Sequence, residues 1–132
     1  MNKQLYRFIV VGTAGFIIDV AILSVIVHSF GVSPYWARIP SFSLAIASTW
    51  YLNYHWAFCY KGMESKLLNF FNYFVVQSLG IAINVSIYSA LMYFSLYFLH
   101  YPEVALAIAS LVALFFNYAG LSRWVFESKS LP

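Results

Sequence analysis

The sequence predicts an all-α membrane protein of four transmembrane helices. Three observations predict it: a large apolar excess, four long apolar stretches, and cations gathered on one side. Hydrophobic residues make up 63% of the 132, and charged residues only 8%. A soluble domain carries roughly 25% charged residues, because its surface must meet water. The apolar side chains here exceed what a core of this size could hide, so lipid is the remaining solvent. Aromatics reach 21%, which suits interfacial belts of Trp and Tyr as well as helix packing. The length allows one small domain, and no segment has the composition of a separate soluble module.

The four stretches run Phe8 to His28, Tyr35 to Phe58, Asn69 to Phe94 and Val104 to Phe126. Each has about the 20 residues needed to cross some 30 Å of hydrocarbon at 1.5 Å per residue. Lipid admits only helices or closed barrels, and runs this long without period-two alternation favour helices. Gly31, Ser33 and Pro34 carry the turn chemistry of the first break, with Pro34 placed to open the second helix. Lys61 to Lys66 forms a polar middle loop, and Pro102 with Glu103 marks the start of the fourth helix.

Orientation follows from the cations. Lys3 and Arg7 flank the first stretch, Lys61 and Lys66 lie in the middle loop, and Arg123 and Lys129 close the last. The first and third connections hold no Lys or Arg, so both termini and the middle loop are expected to be cytoplasmic. The seventh cation, Arg38, falls inside a stretch. Lys3 and Arg7 before an apolar run also suit a signal peptide. That run, however, continues past Val20 with no polar cleavage region, beyond an h-region of about 7–15 residues. It is expected to remain as a spanning helix. Cys59 is the single cysteine, which excludes an intrachain disulfide and leaves the redox compartment undecided.

The chain also reads as two copies of one unit, about residues 5–60 and 68–127, within a single transmembrane domain. The first has Gly15 and Asp19, then Pro34, Ala37 and Trp56-Ala57-Phe58; the second has Gly80 and Asn84, then Pro102, Ala105 and Trp124-Val125-Phe126. Both would enter from and return to the cytoplasm, which makes a parallel repeat of helix hairpins. Such duplication serves a packing unit as well as a pair of faces lining one path.

Residues three, four and seven apart share a helix face. Gly12, Gly15 and Asp19 fall together in the first helix, and Gln77, Gly80 and Asn84 in the third. The second helix aligns Arg38, Ser41, Ala45, Thr49 and, at the edge, Asn53. The fourth aligns Glu103, Ser110, Ala113, Asn117 and Gly120. Small residues let membrane helices approach, and polar ones hydrogen-bond across the gap. Close packing accounts for the glycines, serines and alanines, but less well for Asp19 and Arg38.

Counted from Phe8, Asp19 lies about 16 Å in, near the bilayer centre. An ionisable group there costs about 2.5–3.5 kcal/mol on the insertion scale. Arg38 stands about one turn inside the outer end of its helix. The two could form a structural ion pair, which is weak evidence for stability because desolvation offsets much of the attraction. Alternatively Arg38 holds an anionic ligand, since guanidinium takes phosphate in a bidentate fork, with Asp19 positioning Arg38 or competing for it. Arg7, His55 and Arg123, with Lys3, could hold a lipid phosphate on the inner leaflet. They also serve as a topology signal and interfacial anchors beside Trp56 and Trp124. Missing from the sequence are a Gly-rich phosphate loop, a Cys/His metal cluster, a nucleophile elbow, a carboxylate pair at one depth and a basic patch. Catalysis, a metal, a cofactor and nucleic-acid binding are therefore not expected.

Arg7-Phe8 with Val11-Gly12, the mid-helix Asp19, and the Asn53-Tyr54-His55-Trp56-Ala57-Phe58 ending resemble the GtrA-like proteins. The second copy agrees, with Asn84, Asn117 and Arg123-Trp124-Val125-Phe126. The match runs from about Leu5 to Glu127. Arg38, where a neutral polar residue is typical, and Gln77, where a small one is, depart from the pattern. The resemblance implies a role in bacterial cell-surface polysaccharide synthesis: moving a polyprenyl-phosphate-linked sugar across the cytoplasmic membrane, beside a glycosyltransferase that loads the lipid. Phosphate and sugar need a polar path while the prenyl tail stays in lipid. Arg38, Asp19, Thr49, Asn53, Asn84, Ser110 and Asn117 would supply it. Two other readings stand beside this one. A non-transporting anchor or regulatory subunit of a glycosyltransferase would use a cytoplasmic contact surface. A proton-coupled exporter of cationic compounds could use Asp19, although Arg38 would repel its cargo. Four short helices make a thin bundle, so a homo-oligomer, most simply a two-fold dimer, is expected.

Overall fold

In lipid each backbone N–H and C=O must find its partner within the same segment, and the apolar runs accordingly fold as continuous helix. The structure, a computed structural model, describes residues 2–127 apart from the side chains of residues 34 and 35. Its elements are α1 (Lys3–Phe30), α2 (Pro34–Leu52), a first π-turn (Asn53–Ala57), α3 (Lys66–Phe94), α4 (Leu96–His100), α5 (Pro102–Gly120) and a second π-turn (Leu121–Val125). The described residues include no strand. Lys129 lies outside them.

Among the described residues, three helical stretches are long and apolar enough to cross a membrane: Lys3–Phe30, Lys66–Phe94 and Pro102–Val125. The sequence predicts a fourth crossing at α2, which does not meet the same measure. Its 19 residues include Arg38, Pro40, Ser41, Ser43, Ser48 and Thr49, and these dilute its apolar content. Pro40, inside the helix, also lacks the N–H that would meet the carbonyl of residue 36.

The chain divides into two units, one running to Met63 and the other beginning at Glu64. In the first unit α1 packs along α2. Asn2 caps α1, its Oδ1 accepting from the N–H of Gln4 at 2.6 Å and of Leu5 at 3.1 Å. At the other end Gly31 takes the left-handed conformation, φ 66°, and its N–H donates to the Val27 carbonyl at 3.1 Å. This is the turn glycine that the sequence places there. Phe8, Val11 and Gly15 of α1 are buried, as are Ala37, Ser41 and Ala45 of α2. A Cβ at Gly15 would fall on the Thr49 methyl group, so the helices meet there without room for a side chain.

The helix then widens. The Phe58 N–H donates to the Asn53 carbonyl at 2.9 Å, one residue further than an α-helical bond. Arg7 fastens this end: its Nη1 donates to the Trp56 carbonyl at 3.1 Å, and its Cζ lies 5.4 Å from the Trp56 ring centre. Cation and carbonyl at a helix C-terminus attract, and the ring adds a cation–π contact. Phe8 meets Phe58 edge-on, 6.3 Å between ring centres.

In the second unit α3 packs along α5. Ser65 caps α3, accepting from the Leu68 N–H at 3.2 Å. Tyr73, Val76 and Gly80 of α3 are buried, as are Ala105, Ala109 and Ala113 of α5. A Cβ at Gly80 would fall on the Asn117 amide. α5 has 19 residues, as α2 does, and its π-turn closes with the Phe126 N–H donating to the Leu121 carbonyl at 2.8 Å. The buried Asn69 amide donates to the Val125 carbonyl at 2.8 Å. Losing that bond leaves a buried carbonyl short of a donor, so Asn69→Ala should cost about 1–3 kcal/mol. Denaturant unfolding in detergent reads this as a lowered midpoint, and an unchanged midpoint would show that the amide contributes nothing. α3 ends at Phe94, where the third apolar stretch ends in the sequence: Ser95 is extended (φ −139°, ψ 124°), and the one-turn α4, which the sequence reading leaves out, precedes Pro102.

Candidate functional site

Asp19 and Arg38 form an ion pair, Nη1 to Oδ2 at 2.8 Å. Asp19 stands 11 residues before the end of α1, and Arg38 only four after the start of α2. The Arg38 Cα is therefore about 10 Å nearer the hairpin tip than the Asp19 Cα. An arginine one turn from a helix end ordinarily snorkels toward water. This one turns the other way, down the hairpin to the carboxylate. The Asp19 side chain is 18% exposed and that of Arg38 50%. Only Nη1 of the guanidinium is engaged with Asp19, and the Phe42 ring centre lies 6.0 Å from Cζ. Phe42 is not evident from the sequence as part of the site; its spacing of four from Arg38 is the signal. On the carboxylate, Oδ1 is buried and has no hydrogen-bond partner. A bidentate pair would have satisfied both oxygens.

Below the pair, the Thr49 hydroxyl donates to the Ile46 carbonyl at 3.1 Å, and Asn53 is buried at the start of the first π-turn. In the second unit the Asn84 amide donates to the Ser110 hydroxyl at 3.2 Å. Asn117 stands against Gly80 with its Oδ1 buried and unpartnered.

The structure corrects three of the expected stripes. Gly12 is exposed, with open space where a Cβ would stand. The seam of α1 runs instead through Phe8, Val11 and Gly15, because Gly15 is the position α2 presses on. Arg38 is flanked by the seam rather than part of it, and Ala37 is the residue fully buried there. On α5 Glu103 and Ser110 are exposed, and Ala105, Ala109 and Ala113 make the contact. On α5 the small alanines pack closest, and Glu103 and Ser110 settle at the rim.

The expected inner-leaflet cations have separate environments. Arg7 is bound to Trp56 as described. His55 is exposed and stacks near Tyr51 and Tyr54, at 4.5 and 4.9 Å between ring centres. Arg123 is exposed in the second π-turn. Among the described residues no cluster of three or more His, Cys, Asp or Glu is placed to hold a metal ion.

A comparison with curated proteins yields no match. The GtrA/DPMS transmembrane domain matches over residues 7–126. That span takes in Arg7, the Asp19–Arg38 pair, both glycine seams and both π-turns. The chain is thus a multi-pass membrane protein that belongs to the GtrA/DPMS transmembrane-domain family, a family linked to cell-surface polysaccharide synthesis.

Proposed function

We propose that this protein is a translocase of polyprenyl-phosphate-linked sugar in the bacterial cytoplasmic membrane, with Arg38 holding the phosphate. One observation carries the reading: inside a hairpin of apolar helices, a guanidinium points along the membrane depth with half its surface open. A phosphodiester needs such a donor when it leaves water, and a guanidinium held at one nitrogen alone can turn to donate both arms of its fork to it. Thr49 and Asn53 in this unit, and Asn84, Ser110 and Asn117 in the other, supply polar groups suited to sugar hydroxyls. Arg7, His55 and Arg123 serve the inner-leaflet headgroup. The chain crosses four times as two parallel hairpin copies with both termini cytoplasmic, α2 making its crossing beside α1, and it works as a two-fold dimer.

The test is transport by the reconstituted full chain, with a short-chain isoprenyl phosphoglucose as cargo. Wild-type protein should move it between leaflets, and Arg38→Ala should lower the rate about tenfold or more, the scale of one charge-assisted hydrogen bond of about 1.5–3 kcal/mol. A folded Arg38→Ala protein with wild-type rate would sink the assignment. No transport by the wild type, together with co-purification of a glycosyltransferase, would favour a non-transporting subunit of that enzyme instead.

A further inference from the structure

The Asp19–Arg38 pair is neutral as it stands, and an incoming anion must break that neutrality or replace it. Arg38 contacts Asp19 through Nη1 alone and is half exposed, so it is the partner that can turn away. Asp19 cannot follow. Its side chain is largely covered, and Oδ1 is buried without a donor. Once Arg38 shifts to a ligand, neither carboxylate oxygen has a hydrogen-bond donor.

Within the first unit, no other charged group on the described side chains can take the place of Arg38. α2 is the helix packed along this part of α1, and its other titratable described side chain, Tyr51, lies 13 residues beyond Arg38. Tyr54 and His55 are in the first π-turn, at the opposite end of the hairpin. On α1 itself Lys3, Tyr6 and Arg7 occupy the first two turns, and His28 is nine residues further on than Asp19. A carboxylate stripped of its counter-ion within a span is strongly disfavoured and neutralises by taking a proton.

We infer that Asp19 is a proton site coupled to the ligand: when a lipid phosphodiester takes Arg38, Oδ2 of Asp19 takes one proton. This inference rests on the phosphate role of Arg38 proposed above. The exchange balances. Before it, the guanidinium cation pairs with the carboxylate; after it, the guanidinium pairs with the phosphodiester monoanion and the acid is neutral. The proton comes from water, its new bond is O–H on Oδ2, and the site stays at zero net charge. Binding an anion thus means binding an anion and a proton together, which lets a proton gradient bias the direction of movement.

The experiment is calorimetric titration of the purified full chain in detergent with short-chain isoprenyl phosphoglucose at neutral pH. It is run in two buffers of different ionisation enthalpy, whose difference in heat counts protons. The wild type should take up about one proton per ligand bound. Asp19→Asn should bind without proton uptake, and its affinity should lose its pH dependence. Binding by the wild type with no proton uptake, or uptake unchanged in Asp19→Asn, overturns the coupling and leaves the phosphate role standing. Should Asp19→Asn fail to fold, the wild-type proton count in the two buffers still tests the coupling by itself. Ligand binding undiminished in Arg38→Ala, or absent in the wild type, overturns the phosphate role and the coupling with it.

Discussion

Leucine at Gly15 should destabilise the first hairpin by about 3 kcal/mol, whereas leucine at Gly12 should leave it unchanged or slightly more stable. The two positions are three residues apart on one helix. At Gly15 even a Cβ would meet the Thr49 methyl, while at Gly12 it would meet nothing within 4 Å. A leucine forced into the first site must push α1 and α2 apart along the seam of Phe8, Val11, Ala37, Ser41 and Ala45. Overpacking a filled contact costs about 1–3 kcal/mol and occasionally more, and losing close helix approach adds to it. At Gly12 the leucine faces outward, and its better helix propensity contributes up to about 1 kcal/mol. Unfolding of the two variants in mixed detergent separates them. Equal midpoints would mean that α1 and α2 do not meet at Gly15.

Arg38→Leu should be more destabilising than the double replacement Arg38→Leu with Asp19→Leu. The single change abandons Asp19 in a covered position with one oxygen already lacking a donor. Breaking a fully buried pair costs about 3–5 kcal/mol, and replacing both partners by apolar groups is often neutral or stabilising. Half the surface of Arg38 is open, so solvent screening discounts the single change to about 1–3 kcal/mol, and the double variant should recover most of it. Additive losses would show that the two side chains do not act as a pair. The double variant also isolates function, because a stable protein without Arg38 that still transports at the wild-type rate cannot be using it to hold phosphate.

Local chemistry made part of this architecture legible. Gly31 ends α1 and Pro34 opens α2 where the sequence places them, because a left-handed cap and a missing N–H are decided within a few residues. Pro102 opens α5 for the same reason. The third stretch ends at Phe94 as the sequence reads it, but the extra turn α4 has no such signature, since neither Gly nor Pro marks Phe94-Ser95-Leu96. The π-turns are invisible for a different cause. Their wide bonds follow α-helical sequence and lie where Arg7 and Asn69 reach across from the other limb. Periodicity likewise narrows a face without fixing its centre. Gly12 and Gly15 are about 60° apart around the axis, and only packing selects one of them. The sequence brings Asp19 and Arg38 within reach, but whether the arginine turns toward water or toward the carboxylate is a choice of rotamer.

The modest apolarity of α2 bears on how the chain enters the bilayer. A nascent chain presents α1 first, with a carboxylate that alone costs up to about 2.5–3.5 kcal/mol to immerse, and then α2, with a guanidinium costed on the same scale. Joined, they are a neutral couple, and the greasier limb carries the leaner one. Synthesis order therefore makes α1 an intramolecular chaperone for α2. In the proposed topology, the smallest piece of this part of the chain that partitions into lipid is the hairpin rather than the single helix.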